Sequence, residues 1–148
     1  MAGRLFQVTS DSISMGTTEK TVLQVRPPAN LPIVFRSLVL TMLDQTTSNQ
    51  PLLWVGQQTV ASGGSAPAGQ PVPEPPFFGT ILSTFLEGDF SAEPTDERTF
   101  FGPHFLQAQT PFQFGRSQTI EQGKALGVKL WQPGAATGDF TITITCEE

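Results

Sequence analysis

From Asp139 to Cys146 the chain reads Asp-Phe-Thr-Ile-Thr-Ile-Thr-Cys, so Phe140, Ile142, Ile144 and Cys146 fall on one side and three threonines on the other. Successive side chains of a strand point to opposite faces, and strict alternation over this length has no helical reading. β-branched Ile and Thr also suit a pleated surface. This segment therefore predicts an antiparallel strand with one buried face. The same period recurs along the chain, and no segment carries a convincing helical period.

Ala125–Trp131 repeats the pattern, with Leu126, Val128 and Leu130 inward and Lys129 and Trp131 outward. Between it and the last strand lie Pro133-Gly134 and Gly138, which are turn residues, so the two strands read as a hairpin. Earlier strands are expected at Leu5–Thr9, Thr21–Arg26, Ile33–Leu43 and Leu52–Val60. Pro27-Pro28 stops the second of these, because proline has no donor for a ladder. Further strands are expected near Thr99–Phe105 and Pro111–Arg116. Thr80–Glu87 could form a helical turn, Glu87–Glu97 reads as an acidic solvated loop, and Ile120–Lys124 as a turn.

About eight short strands separated by turn signals predict an all-β fold, a single-domain antiparallel β-sandwich or jelly roll spanning residues 1–148. Residues 1–10 form an N-terminal arm or strand. Residues 61–78, rich in Gly and Pro, form a long exposed loop, flexible at first and then polyproline-like. Loops of this length inside a compact domain are usually functional.

Composition limits what such a fold can do. Eight Lys and Arg against 13 Asp and Glu give a net charge of −5. A nucleic-acid binder needs a basic stripe, and none is present. The longest apolar stretch, residues 31–43, is interrupted by Pro32, Arg36, Ser37 and Thr41, whereas a membrane helix needs about 20 apolar residues. The N-terminal MAGRLFQVTS lacks the apolar run of a signal peptide, so folding in a reducing cytoplasm is expected. One Cys and one His exclude an intrachain disulfide and a His/Cys zinc site.

Candidate chemistry is correspondingly thin. A hydrolase needs an activated nucleophile, yet His104 is the only imidazole and no serine sits in a Gly-x-Ser-x-Gly elbow. His104 reads as a histidine packed at a strand end. Glu87, Asp89, Glu93, Asp96 and Glu97 do not have EF-hand spacing. A glycosidase pair of carboxylates is not visible, and a cupin metal site needs about three His/Glu ligands. Cys146 alternates with Ile142 and Ile144 and reads as a small buried hydrophobe. The expectation is a protein that is not an enzyme, with no cofactor and no metal. Trp131 has two open readings: it packs under the Pro-rich loop or against the N-terminal arm, or it contacts a partner.

Several segments together resemble a family of small virion proteins of tailed bacteriophages. They are Thr21-Val-Leu-Gln-Val-Arg-Pro-Pro28, Ile33-Val-Phe-Arg-Ser-Leu-Val-Leu40, Ser62-Gly-Gly-Ser-Ala-Pro67, Ala125-Leu-Gly-Val-Lys-Leu130 and Phe140-Thr-Ile-Thr-Ile-Thr-Cys-Glu-Glu148. The resemblance implies a jelly-roll capsid decoration (cement) protein, a homotrimer on the virion's capsid surface that binds the major capsid protein and bridges capsomers. Phe77–Gln118 follows none of that pattern. On physical grounds Arg4, Leu5 and Phe6 could add to a neighbouring sheet edge. Pro71, Pro73 and Pro75 would lower the entropy cost of ordering the loop on a partner, with Phe77, Phe78 and Trp131 as further contacts. The alternative is a carbohydrate-binding or fibre/tail β-sandwich module, with Trp131 or Trp54 stacking on a glycan.

Overall fold

The computed structural model describes residues 3–43, 50–66, 69–75, 79–106, 111–134 and 138–148. Twelve strands succeed one another: β1 (Leu5–Thr9), β2 (Ile13–Ser14), β3 (Thr21–Arg26), β4 (Ile33–Met42), β5 (Leu52–Thr59), β6 (Gly63–Ser65), β7 (Val72–Pro73), β8 (Thr84–Phe90), β9 (Asp96–Phe105), β10 (Phe112–Ile120), β11 (Lys124–Trp131) and β12 (Asp139–Glu147). They form two antiparallel sheets. One has the order β10-β4-β12-β1-β7, with β2 also pairing with β12; the other has the order β6-β8-β3-β11-β5-β9. The fold is an all-β sandwich.

Its core lies between the sheets and takes the alternate residues that the sequence pattern marks. β12 supplies Phe140, Ile142, Ile144 and Cys146, all at 0% exposure, and β11 supplies Leu126, Val128 and Leu130. Phe6, Val8, Phe35, Leu38, Leu23, Val25, Leu53 and Val55 fill the remainder. The alternation slips once in β4. Phe35 pairs with Cys146, but Ser37 already pairs with Thr145, so Arg36 is an extra residue in the ladder. Such a bulge keeps both Phe35 and Leu38 facing inward.

Two sequence expectations fail here. β11 and β12 are not a hairpin, because β11 pairs with β3 and β5 whereas β12 pairs with β1 and β4. Each strand carries a fully apolar face, and the two faces bury best opposite one another from the middle of different sheets. The outward side of β11 is also not exposed. Lys129 is 5% and Trp131 is 7% exposed. The segment after β2 accounts for part of this, since Gly16 bridges Trp131 and accepts from Gln132 N at 2.9 Å. Trp131 is therefore buried beside the segment after β2, which is neither the Pro-rich loop nor the arm of residues 1–10.

The rest of that outer face is closed by two connectors. The β8–β9 link crosses it and sets the Glu93 carboxylate on Thr21 N at 2.9 Å, and Thr59 N donates to Thr95 O at 2.9 Å. The β5–β6 link crosses beside it, where Gln24 Nε2 donates to Thr59 O and Ala61 N donates to Gln24 Oε1, both at 3.0 Å. Gln24 and Gln58 are buried beneath these crossings and joined to each other, Nε2 to Oε1, at 3.0 Å. Gln58 also donates to Thr21 Oγ1 and Asp96 Oδ1, both at 2.9 Å. Buried amides of this kind are stable only when satisfied, and this network satisfies them.

Lys129 completes the layer. Its ammonium lies 2.5 Å from Asp96, 3.0 Å from Glu19 and 5.0 Å from the Trp54 ring centroid. Burial opposes its charge, but Asp96 and Glu19 outweigh that and hold its pKa above the ordinary lysine value. The expected acidic solvated loop is thus a structural element. Glu87 lies in β8, Asp96 in β9, and Glu93 caps the start of β3. The helical turn considered for Thr80–Glu87 is likewise absent, since β8 begins at Thr84.

Candidate interaction surface

The N-terminal residues and the Pro-rich loop, singled out separately from the sequence, meet on one side of the sandwich. β1 pairs along its length with β12, from Leu5 opposite Glu147 to Thr9 opposite Thr143. On its other side Phe6 faces Pro73 and Gln7 faces Val72, and Glu74 N donates to Leu5 O at 3.0 Å. The arm is therefore an integral strand, and β7 covers part of the edge that was expected to receive a neighbour. Phe6 is fully buried and belongs to the core. Leu5, Pro71 and Pro73 are half-buried and Pro75 is exposed; Phe77 and Phe78 lie outside the described residues.

Arg4 ties this side together. Its NH1 donates to Thr80 O at 2.8 Å, its NH2 meets Glu148 Oε1 at 2.7 Å, and its backbone exchanges both bonds with Glu148. Glu148 also accepts from Leu82 N at 3.0 Å and from Ser83 N and Oγ at 2.9 and 2.8 Å. Leu82, next to this cluster, is 50% exposed, and Val72, opposite Gln7 on β7, is 45% exposed. Single exposed aliphatics are ordinary on a soluble surface. Both residues project from segments that β1 and Glu148 hold in place.

Part of the expected loop 61–78 is strand among the described residues. Gly63–Ser65 is a strand on the edge of β8, pairing Gly63 with Phe90 and Ser65 with Glu87. Gly64 has φ +85, and a Cβ there would lie 2.9 Å from the Phe90 ring, so glycine is needed both for its backbone and for the close approach.

Glu87 stands under this loop. Leu23, its β3 partner, points into the core, and Glu87 shares that face at the margin of the sheet. It is 7% exposed, and Asp11 N, from the link after β1, donates to its carboxylate at 3.0 Å. Burial is the main reason its pKa is pushed up to about 7; the bond from Asp11 N opposes that and the Asp11 charge adds to it. Glu87 lines a cleft of about 480 Å³ with Ser12, Ser14, Gly64 and Ser65. A second, mainly apolar cavity of about 320 Å³ lies further along β8, where Arg26 meets Gln70, Pro71 and Phe85. The sequence reading placed Glu87 in a solvated acidic loop and did not single out Arg26. Alternation could have placed Glu87 on an inward face had β8 been recognised, but nothing in the sequence marks Arg26.

The far side of the sandwich, where β9 and β10 are the edge strands, is aromatic. Phe101 lies 5.2 Å from Phe112 and 4.8 Å from Phe114, and Phe114 stacks on Phe35 at 5.8 Å. His104 is exposed and meets Phe101 edge-on at 4.9 Å, while Phe105 is 65% exposed. Among the described residues no three His, Cys, Asp or Glu side chains gather as a metal site would need. No protein-family model, no curated protein and no solved structure matches the chain.

Proposed function

We propose that this chain is a structural virion protein of a tailed bacteriophage, a decoration or cement protein that binds the major capsid protein on the capsid surface as a homotrimer and bridges capsomers. On this reading it is a binding protein, not an enzyme, and needs no cofactor. The observation that carries the reading is the side where both chain ends, the loop and β7 lock together and present Val72, Leu82 and Pro75 outward. Such a platform is preorganised, so little entropy is lost when it docks.

The strand order supports the finer fold. Setting aside the short β2, β6 and β7 and the added β8, one sheet runs β10-β4-β12-β1 and the other β9-β5-β11-β3. Eight strands crossing between two sheets in this order support the reading as a jelly roll, an architecture common in capsid proteins. Phe105 and its aromatic neighbours lie on the opposite flank from the platform. One chain's platform set against the next chain's aromatic flank gives a head-to-tail contact of the kind that closes a ring.

Light scattering of the purified protein, followed by addition to capsids assembled without it, tests the reading. A mass near three times 16.0 kDa and saturable rebinding that Leu82→Asp abolishes are the expected results. Absence of rebinding by the wild-type protein would refute it. The glycan-binding alternative loses its aromatic platform, since Trp131 and Trp54 are both buried. It would have to rest on the polar cleft beside Glu87.

A further inference from the structure

Arg26 is the last residue of β3 and reaches to the β5–β6 link. Its NH2 donates to Ala61 O. Its Nε is buried with no acceptor. Among the described residues no carboxylate forms an ion pair with it, although the chain carries 13 Asp and Glu against eight Lys and Arg. Burial holds its pKa below the ordinary guanidinium value, as expected of a cation withdrawn from water without a counter-charge. A buried guanidinium nitrogen with no acceptor is uncommon in a folded protein.

The cavity that Arg26 lines has the size of a small-ligand site, about 320 Å³, and its walls are mostly apolar: Pro71, Phe85, Leu86 and Ala66, with Gln70 and Thr84 at its polar margin. Beside it, among the described residues, part of the edge of β8 has no strand paired with it. β6 pairs only with Glu87 and Phe90, so Thr84–Leu86 have β3 on one side and no strand on the other among the described residues. A single cation in apolar walls does not suit a multiply charged anion. A carboxylate does suit it, because its planar pair of oxygens fits a guanidinium and it carries one charge.

We propose that this cavity binds a carboxylate carried on a short apolar body, with Arg26 holding the carboxylate and Pro71, Phe85 and Leu86 holding the apolar part. The site is independent of the capsid role. Two sources share this chemistry, a free aliphatic acid and the C-terminus of an extended chain lying along that edge of β8.

Calorimetric titration of the full chain with four probes separates them: hexanoate, hexanol, N-acetyl-Val-Leu with a free carboxylate, and the same dipeptide as its amide. At least one carboxylate binds with a stoichiometry of one, and its neutral counterpart binds at least about tenfold more weakly, the scale of a charge-assisted hydrogen bond. Tighter binding of the dipeptide assigns the site to chain ends, and tighter binding of hexanoate assigns it to free acids. Arg26→Gln weakens binding by at least about tenfold, Arg26→Lys by less, and Arg36→Gln on β4 has no effect. Because Arg26→Gln could disturb the β5–β6 link, Ala66→Phe serves as a second variant. Ala66 is exposed at the rim, so the larger side chain fills the cavity, leaves Arg26 in place and blocks binding. No binding of either carboxylate, equal binding of hexanol and hexanoate, or full binding by both variants would overturn the proposal.

Discussion

Arg4 and Glu148 join the two ends of the described chain, by an ion pair at 2.7 Å and by a reciprocal pair of backbone bonds at 2.8 and 2.9 Å. The Glu148 side chain is fully buried and accepts from Leu82, Ser83 and Arg4, whereas Arg4 keeps 37% of its side chain in water. The pair is therefore asymmetric. Glu148→Ala strands the Ser83 donors and should cost about 1–3 kcal/mol. Arg4→Ala should cost less than about 1 kcal/mol, as for most half-exposed pairs. Urea denaturation of both variants and of the double variant checks this. Equal losses would mean that the ion pair, not the loop contacts, dominates.

Gly127 and Gly16 provide a matched test of the buried amide layer. A Cβ on Gly127 would lie 1.9 Å from Gln58 Oε1 and 2.3 Å from its Cδ, whereas one on Gly16 meets nothing within 4 Å. Gln58 cannot give way without releasing Gln24, Thr21 and Asp96. Gly127→Ala should therefore destabilise by about 1–3 kcal/mol through overpacking, before any lost hydrogen bond is counted. Gly16→Ala should stay within about 0.5 kcal/mol of wild type. Thermal melts of the two variants give the comparison directly.

These two relationships mark the boundary of what alternation can reveal. Period 2 placed Leu5–Thr9 and Thr21–Arg26 to the residue and identified the buried faces of β11 and β12. It could not say which sheet a strand joins, because a buried face looks the same from either sheet, and so β11 and β12 were read as a hairpin. It also could not see that connectors from residues far along the chain would cover Lys129, Gln24 and Gln58. Glu93 and Ala61 do this from 72 and 37 residues away, beyond any local pattern. Of the residues singled out for contact, Pro73 lies opposite β1 and Arg4 directly before it, whereas Phe6 is in the core and Trp131 is buried beside the segment after β2. Arg26 became visible only when its buried Nε was found with no acceptor and no carboxylate paired with it among the described residues.

Glu87 should make stability depend on pH in the direction opposite to an ordinary ion-paired carboxylate. Its folded pKa, about 7, lies above the ordinary value of 4.5. Between these values the folded state holds a proton that the unfolded chain has lost, so stability falls as pH rises from about 4.5 to about 7 and then levels. Below about 4.5 both states are protonated, so this contribution is fully present and no longer changes with pH. Glu87→Gln keeps the shape, removes the charge and should flatten this part of the profile. The difference between wild-type and Glu87→Gln melting temperatures, measured from pH 4 to 8, isolates the effect. A difference that does not change across that range would show that the carboxyl titrates normally.

Cys146 should be inert in the folded protein. It is fully buried between Phe6 on β1 and Phe35 on β4, and burial pushes its thiol well above the usual range. Thiolate is the reactive form, so neither access nor ionisation favours reaction. Because β12 lies at the middle of its sheet, the thiol is reached only when that sheet opens, and labelling by an aromatic disulfide reagent should follow global unfolding. Its rate should rise with urea along the unfolding limb and be insensitive to reagent concentration once opening limits it. Cys146→Ser places an unpaired hydroxyl in this position and should cost about 1–3 kcal/mol. Rapid labelling in native buffer would mean that β12 separates from β1 without unfolding the rest, and that the two chain ends are less firmly held than the Arg4–Glu148 geometry requires.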